Sequence, residues 1–320
     1  MGNRAHYILI EDEQLYIFYS RWGALTIPAV IASGPEATLA SIREFESTKG
    51  LLEKVWIEGA ILLDVDAHDA LFWGGDSIAV HPYLRRPLLA ALPLLWPGWS
   101  INWATFGMTD LVRGIGGKFS RVLEDEFDDT AFLVGDGATV TEAQLLGSLK
   151  AGSPGTLLTI RWDTGDVRDY FFFAGVHRLL DEHGKLPFSA APYQILSLGP
   201  RLLTIMLTQP TASLPREGSE QEPDEGASVD ETTQTIWVWH NETLDPRYLE
   251  ALARRWPGWQ VHGHVEGMVR QVILSGRDAS ALKIPDQQAT DELIEEVIQQ
   301  RGIDLRRLSW AIQQTLPKTA

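Results

Sequence analysis

The sequence predicts an α+β protein: two tandem duplicated α/β units with mainly antiparallel sheets, followed by a C-terminal helical segment. Three observations lead to this reading. The corner Trp96-Pro97-Gly98-Trp99 returns 160 positions later as Trp256-Pro257-Gly258-Trp259, and each copy follows a helical stretch, Leu84 to Leu95 and Tyr248 to Arg255. Short apolar runs joined by turn residues recur in both halves, which is the pattern of hairpins. The stretch from Thr290 to Leu316 carries helical periodicity instead.

The first unit spans 1–122. Ala5 to Ile10 and Leu15 to Tyr19 read as strands around the turn Glu11-Asp12-Glu13-Gln14. Gly34-Pro35-Glu36 opens a helix with apolar positions Ala37, Leu39, Ile42 and Phe45; proline suits a first turn, where its missing N–H has no helical partner. Ala60 to Val65 and Ala70 to Trp73 form a second hairpin around Asp66-Ala67-His68-Asp69. Leu84 to Leu95 is helical despite Pro87 and Pro93, Ser100 to Phe106 is a strand, and Thr109 to Gly114 a short helix.

An acidic, glycine-containing junction occupies 123–155, and the second unit spans 156–280. Leu157 to Trp162 and Tyr170 to Phe173 read as a hairpin, Ile195 to Leu198 and Leu202 to Leu207 as further strands. Val229 to Trp237 resembles Val65 to Trp73. Between these parts, 210–231 is rich in Pro, Glu, Asp, Ser and Gly and reads as a disordered insertion. Gln260 to Val265 is the strand after the second corner. In the last segment, 281–320, Leu293, Ile294, Val297 and Ile298 share one helix side and Leu305, Leu308, Ile312 and Leu316 another. This pair is expected on a sheet or between the copies, with self-association through 290–316 as the alternative.

Composition narrows the function. With 27 Lys and Arg against 43 Asp and Glu, the formal net charge is −16, which repels nucleic acid and anionic membranes and suits either a basic partner or simple solubility. The absence of cysteine excludes disulfides, thiolate catalysis and cysteine-ligated metals. Neither a signal-peptide core near the N-terminus nor a run of membrane-spanning length is present, so a cytoplasmic protein is expected.

The best ionisable cluster is Asp64, Asp66, His68 and Asp69. Carboxylates two apart on a strand share a face, and an imidazole beside them suits acid–base work or a metal. The competing reading is a turn whose aspartates bond to backbone. His262 and His264 alternate along a strand and are the other metal candidates. His177, Asp181 and His183 form a looser group, and Glu58, Asp110 and Glu266 become acid–base candidates only if buried. The glycine runs match no phosphate loop, and neither a hydrolase nor a zinc-protease motif occurs. No cofactor is expected.

For binding, the candidates are Trp96, Trp99, Trp256 and Trp259, with the acidic run Glu124, Asp125, Glu126, Asp128 and Asp129. Core clamping is the favoured reading of a Trp-Pro-Gly-Trp corner; the alternative is an exposed pair that anchors an interface, where tryptophan often dominates the energy. The sum favours a protein-binding protein, possibly an acidic immunity or inhibitor protein that neutralises a basic effector. A hydrolase or metal-dependent enzyme using Asp64, Asp66 and His68 is the first alternative, and a duplicated structural or regulatory scaffold the second.

Overall fold

In the computed structural model of the chain, residues 3–124, 141–149, 155–173, 191–298 and 305–315 are described. The chain divides into two compact units, Met1–Glu126 with Ile284–Ala320, and Phe127–Lys283.

The first unit opens with a hairpin of β1 (Ala5–Glu11) and β2 (Gln14–Ser20). Its two-residue turn places Asp12 and Glu13 at φ 51° and 60°, the left-handed twist that lets paired strands continue their own. Helices α1 (Ile27–Ala32) and α2 (Pro35–Arg43) follow, then edge strand β3 (Glu46–Thr48) and the hairpin β4 (Gly59–Asp64) and β5 (Asp69–Trp73). Helices α3 (Asp76–Val80) and α4 (Pro82–Leu95) lead to β6 (Ser100–Trp103), and α5 (Met108–Gly114) follows. The strand order is β3-β2-β1-β4-β5-β6.

In the second unit, α6 (Glu142–Ser148) precedes the hairpin β7 (Gly155–Arg161) and β8 (Val167–Phe173). Then come α7 (Ala191–Leu196), α8 (Arg201–Met206), β9 (Glu225–Asp230), β10 (Thr235–His240), α9 (Pro246–Arg255), β11 (Gln260–His264) and α10 (Gly267–Leu274). The strand order is β11-β10-β9-β7-β8.

The fold is α+β, but its sheets are mixed rather than mainly antiparallel. In the first sheet β1 runs parallel to β4 and β5 to β6; in the second β7 runs parallel to β9 and β10 to β11. Parallel neighbours need a crossover, and the helices between these strands supply it. Strand-like apolar runs conceal two of those helices: Ile195 and Leu196 end α7, and Leu202 to Met206 lie in α8. A short apolar run does not separate a strand from a buried helix by its period.

The disordered insertion expected at 210–231 is also corrected. Its last third is β9, every residue of which is buried. A Cβ on Gly226 would meet Leu157 O at 2.5 Å and Trp239 Nε1 at 2.8 Å, so this strand is built for close approach by its neighbours. The preceding stretch is tied down where Ala212 N–H donates to Asp169 O and Glu217 N–H to Leu282 O.

Both corners are core structures. Trp96 and Trp256 are fully buried and cap α4 and α9 by donating N–H to Leu92 O and Leu252 O. Gly98 and Gly258 take φ 83° and 86°, a region open to glycine, and Trp99 and Trp259 then turn back to bond Trp96 O and Trp256 O. The indole N–H of Trp96 donates to Ile31 O at 2.6 Å, and that of Trp256 to Leu196 O at 2.7 Å, fastening each long helix to the short helix below it.

The C-terminal helices α11 (Asp286–Ile298) and α12 (Leu305–Thr315) pack on α4 of the first unit rather than on a sheet. Leu293, Val297, Leu308, Ala311 and Ile312 are fully buried.

Candidate binding cleft

At the C-terminal end of β10 the second unit opens into a cleft of about 330 Å³, small but within the range of ligand sites. It lies at the carboxyl end of β10 and the amino end of β9, where the β10–α9–β11 crossover begins. Its lining includes Tyr193 from α7, Glu225 from the start of β9, Trp239 and His240 from β10, Glu242 and Asp245 from the following loop, and Tyr248 from α9.

Local hydrogen bonding orders these groups. Asp245 caps α9 by accepting the Arg247 N–H, and its carboxylate pairs with the Arg247 guanidinium at 2.6 Å. Glu225 Oε1 accepts the Thr156 hydroxyl at 2.8 Å. His240 Nδ1 accepts the Glu242 N–H at 3.2 Å. The rings of Tyr193 and Tyr248 stack with centroids 4.3 Å apart. Tyr193 is 6% exposed, and its hydroxyl is buried with no hydrogen-bond partner among the described residues. Burial holds that phenol well above its ordinary range, and the neighbouring Tyr248, Glu225 and Asp245 push it the same way.

The same corner of the first sheet is closed. Ala5 pairs with Gly59 as Thr156 pairs with Glu225, so glycine stands at the Glu225 position. Pro28 stands three residues before Ile31, the acceptor for Trp96, as Tyr193 stands three before Leu196, the acceptor for Trp256. A Cβ on Gly59 would come within 2.7 Å of Ile27 Cδ1 and 3.1 Å of Gly74 Cα, and one on Gly75 would overlap Pro28. Ile27, Pro28 and three glycines therefore fill the space that tyrosine, histidine and carboxylates surround in the second unit.

The sequence-derived candidates lie elsewhere. Asp64 Oδ1 accepts the Ala67 N–H, and both Asp66 oxygens accept N–H groups of the β1–β2 turn, from Asp12 at 3.0 Å and Glu13 at 2.9 Å. His68 takes φ 54° in the turn and lies beside Trp99. These residues lock two hairpin ends together. The second unit has a related device, in which Asp230 Oδ1 accepts from Thr232 and Thr233 and Glu231 from Asp163. His262 stacks on Trp237 at 4.6 Å, and His264 lies against Trp239. No group of three or more His, Asp or Glu side chains is placed to hold a metal among the described residues.

His264 is buried, with Nδ1 accepting the Glu266 N–H. Burial, helped by the Arg270 charge, lowers its pKa to about 3 and keeps it neutral. Asp110 caps the entry to α5 by accepting the Phe106 N–H, and desolvation raises its pKa. Glu58 accepts the Arg4 N–H, and Glu266 lies 3.5 Å from Arg270. Trp99 and Trp259 are half-buried and Glu124 is exposed. Asp125, Glu126, Asp128, Asp129, His177, Asp181 and His183 lie outside the described residues.

A second depression, broader and open, is lined by residues including Glu142, Gly199, Arg201 and Arg255; its Arg201 and Glu142 pair with each other at 2.8 Å. No protein-family model matches the chain, and neither a curated protein nor a solved structure matches it. Among the described residues, no helix is long and apolar enough to cross a membrane.

Proposed function

We propose that the chain is a protein-binding protein of the inhibitor or immunity kind, which acts in the cytoplasm and neutralises a basic effector. The observation that carries this reading is the cleft of the second unit, where the lining places Glu225, Glu242 and Asp245 beside a tyrosine pair. A net charge of −16 supports it, because a negative field accelerates encounter with a positive partner surface. The hydrogen bonds that occupy Asp64 and Asp66 favour this reading over catalysis at that cluster.

The proposal includes a tandem duplication in which one copy keeps a closed corner and the other an open one. Its support is the shared strand order, β2-β1-β4-β5-β6 beside β8-β7-β9-β10-β11, together with the two Trp corners.

The test is capture of partners from native extract at low and moderate salt, followed by reconstitution with the purified partner. One basic protein held near one-to-one, weakened by salt and inhibited by the chain, is the expected result. Failure to retain a basic protein at either salt contradicts the reading.

A further inference from the structure

We infer that the floor of the second unit's cleft is a site for a small uncharged ligand, one aromatic ring bearing a hydroxyl group, which hydrogen-bonds the Tyr193 hydroxyl. This goes beyond the protein-binding reading and does not rest on it. Glu242 is exposed at the rim, where a partner would meet it, whereas Tyr193 is buried.

Tyr193 supplies the polar contact. Its side chain is 6% exposed and lines the cleft, and its hydroxyl has no hydrogen-bond partner among the described residues. The groups that act on that hydroxyl, Tyr248, Glu225 and Asp245, line the same cleft, so the oxygen belongs to the cleft and not to the apolar core. A buried hydroxyl without a hydrogen bond is costly. Burial keeps the phenol protonated, so it has one hydrogen to donate and lone pairs that accept. A ligand hydroxyl matches it in either direction.

The rest of the wall selects against an ion. The Glu225 carboxylate receives the Thr156 hydroxyl and that of Asp245 pairs with Arg247, so both are engaged within the chain. An ion entering there would lose hydration and meet carboxylates that already have partners. The apolar contacts come from Pro192, Leu244 and the stacked rings of Tyr193 and Tyr248, against which an aromatic ring packs offset or edge-on. A volume of about 330 Å³ suits one ring rather than an extended cofactor. In the first unit Ile27, Pro28 and glycines fill the corresponding corner, so the inference applies to the second unit alone.

The test uses the full chain with 19F-labelled tyrosine. It is titrated with para-cresol, with toluene as the match that lacks a hydroxyl, and with benzoate and benzylammonium as charged matches. The resonance lost in Tyr193→Phe identifies that ring. Saturable shifts of this resonance with para-cresol are expected, with toluene about fivefold weaker and neither ion reaching saturation. Tyr193→Phe, followed through the remaining tyrosines, should bind para-cresol no tighter than toluene. It should keep the parent melting temperature, because the hydroxyl it loses has no partner among the described residues. Thr243→Trp, at a half-buried position of the lining, fills the cleft and should abolish binding; it decides the matter should Tyr193→Phe fail to fold.

Failure of para-cresol to saturate, equal affinity for toluene, or tighter binding of either ion overturns the inference. So does a preference for para-cresol that survives in Tyr193→Phe, or binding retained in folded Thr243→Trp.

Discussion

The two sheets share a strand order and differ in what they enclose. Beneath α5 the first unit is apolar, with Ile8 opposite Ile17 and both Leu62 and Leu111 buried. The matching hairpin pair of the second unit is Thr159 opposite Asp169, joined by a hydroxyl-to-carboxylate bond of 2.7 Å. Gln271, fully buried on α10, donates to Thr159 and Ala227 O and accepts the Trp239 indole N–H. Arg277 closes the chain with two bonds to Asp169 at 2.5 and 2.8 Å. One frame thus supports an apolar pair at this position in one unit and a satisfied polar network in the other. Trp239 belongs both to this network and to the cleft lining, so the network fixes one wall of the cleft.

The largest expected effect comes from breaking that network. Arg277→Met leaves the Asp169 carboxylate buried without its cation and should cost about 3–5 kcal/mol in chemical denaturation. Ile17→Val, at the matching position of the first unit, should cost about 1 kcal/mol. Equal losses would mean that the network contributes no more than the apolar pair.

Gly75→Ala tests the closed corner. Gly75 takes φ 85°, and the new Cβ would overlap Pro28, so a loss of about 2–4 kcal/mol is expected. Gly258→Ala has a similar φ of 86° with nothing within 4 Å of the added carbon, and should lose only about 1 kcal/mol. Similar losses at both sites would attribute the cost to backbone strain and not to closure of the corner.

Trp96→Phe and Trp256→Phe each remove one indole bond to a buried carbonyl and open a void. Each should cost about 2–3 kcal/mol, and the two losses should agree to about 1 kcal/mol if the corners are equivalent.

The last comparison is in pH dependence. His264 has a folded pKa of about 3, below the ordinary 6.5, so below pH 6.5 the unfolded chain binds a proton that the folded chain refuses. The stability from this group is present above pH 6.5 and falls by up to about 1.4 kcal/mol per pH unit down to about pH 3. His6 of the first unit is also lowered by burial; its two ring nitrogens engage Phe18 O and the Leu52 N–H. Denaturation at pH 7 and pH 5 should show a shallower slope for His264→Phe than for the parent chain.

Much of this frame is legible in the sequence. The hairpins at Ala5–Glu11 and Gly59–Asp64, the helix before each corner and the corners themselves follow from alternation, turn residues and the paired tryptophans. The parallel pairings are not legible, because they depend on where each crossover lays its strand. The cleft escapes a linear reading for the same reason: Tyr193, Glu225, Trp239 and Tyr248 come from four elements. Glu225 is further hidden at the end of a polar stretch whose average composition masks the strand it begins. A residue-level match of the two hairpins, setting Gly59 against Glu225, is the signal that would have exposed it.

The most direct measurement is the affinity of the purified basic partner for the parent chain, Glu225→Gln and Gly59→Ala, each confirmed as folded. An acidic cleft confined to the second unit predicts at least tenfold weaker binding for Glu225→Gln and unchanged binding for Gly59→Ala. Unchanged affinity in Glu225→Gln, or an equal loss in Gly59→Ala, would contradict it.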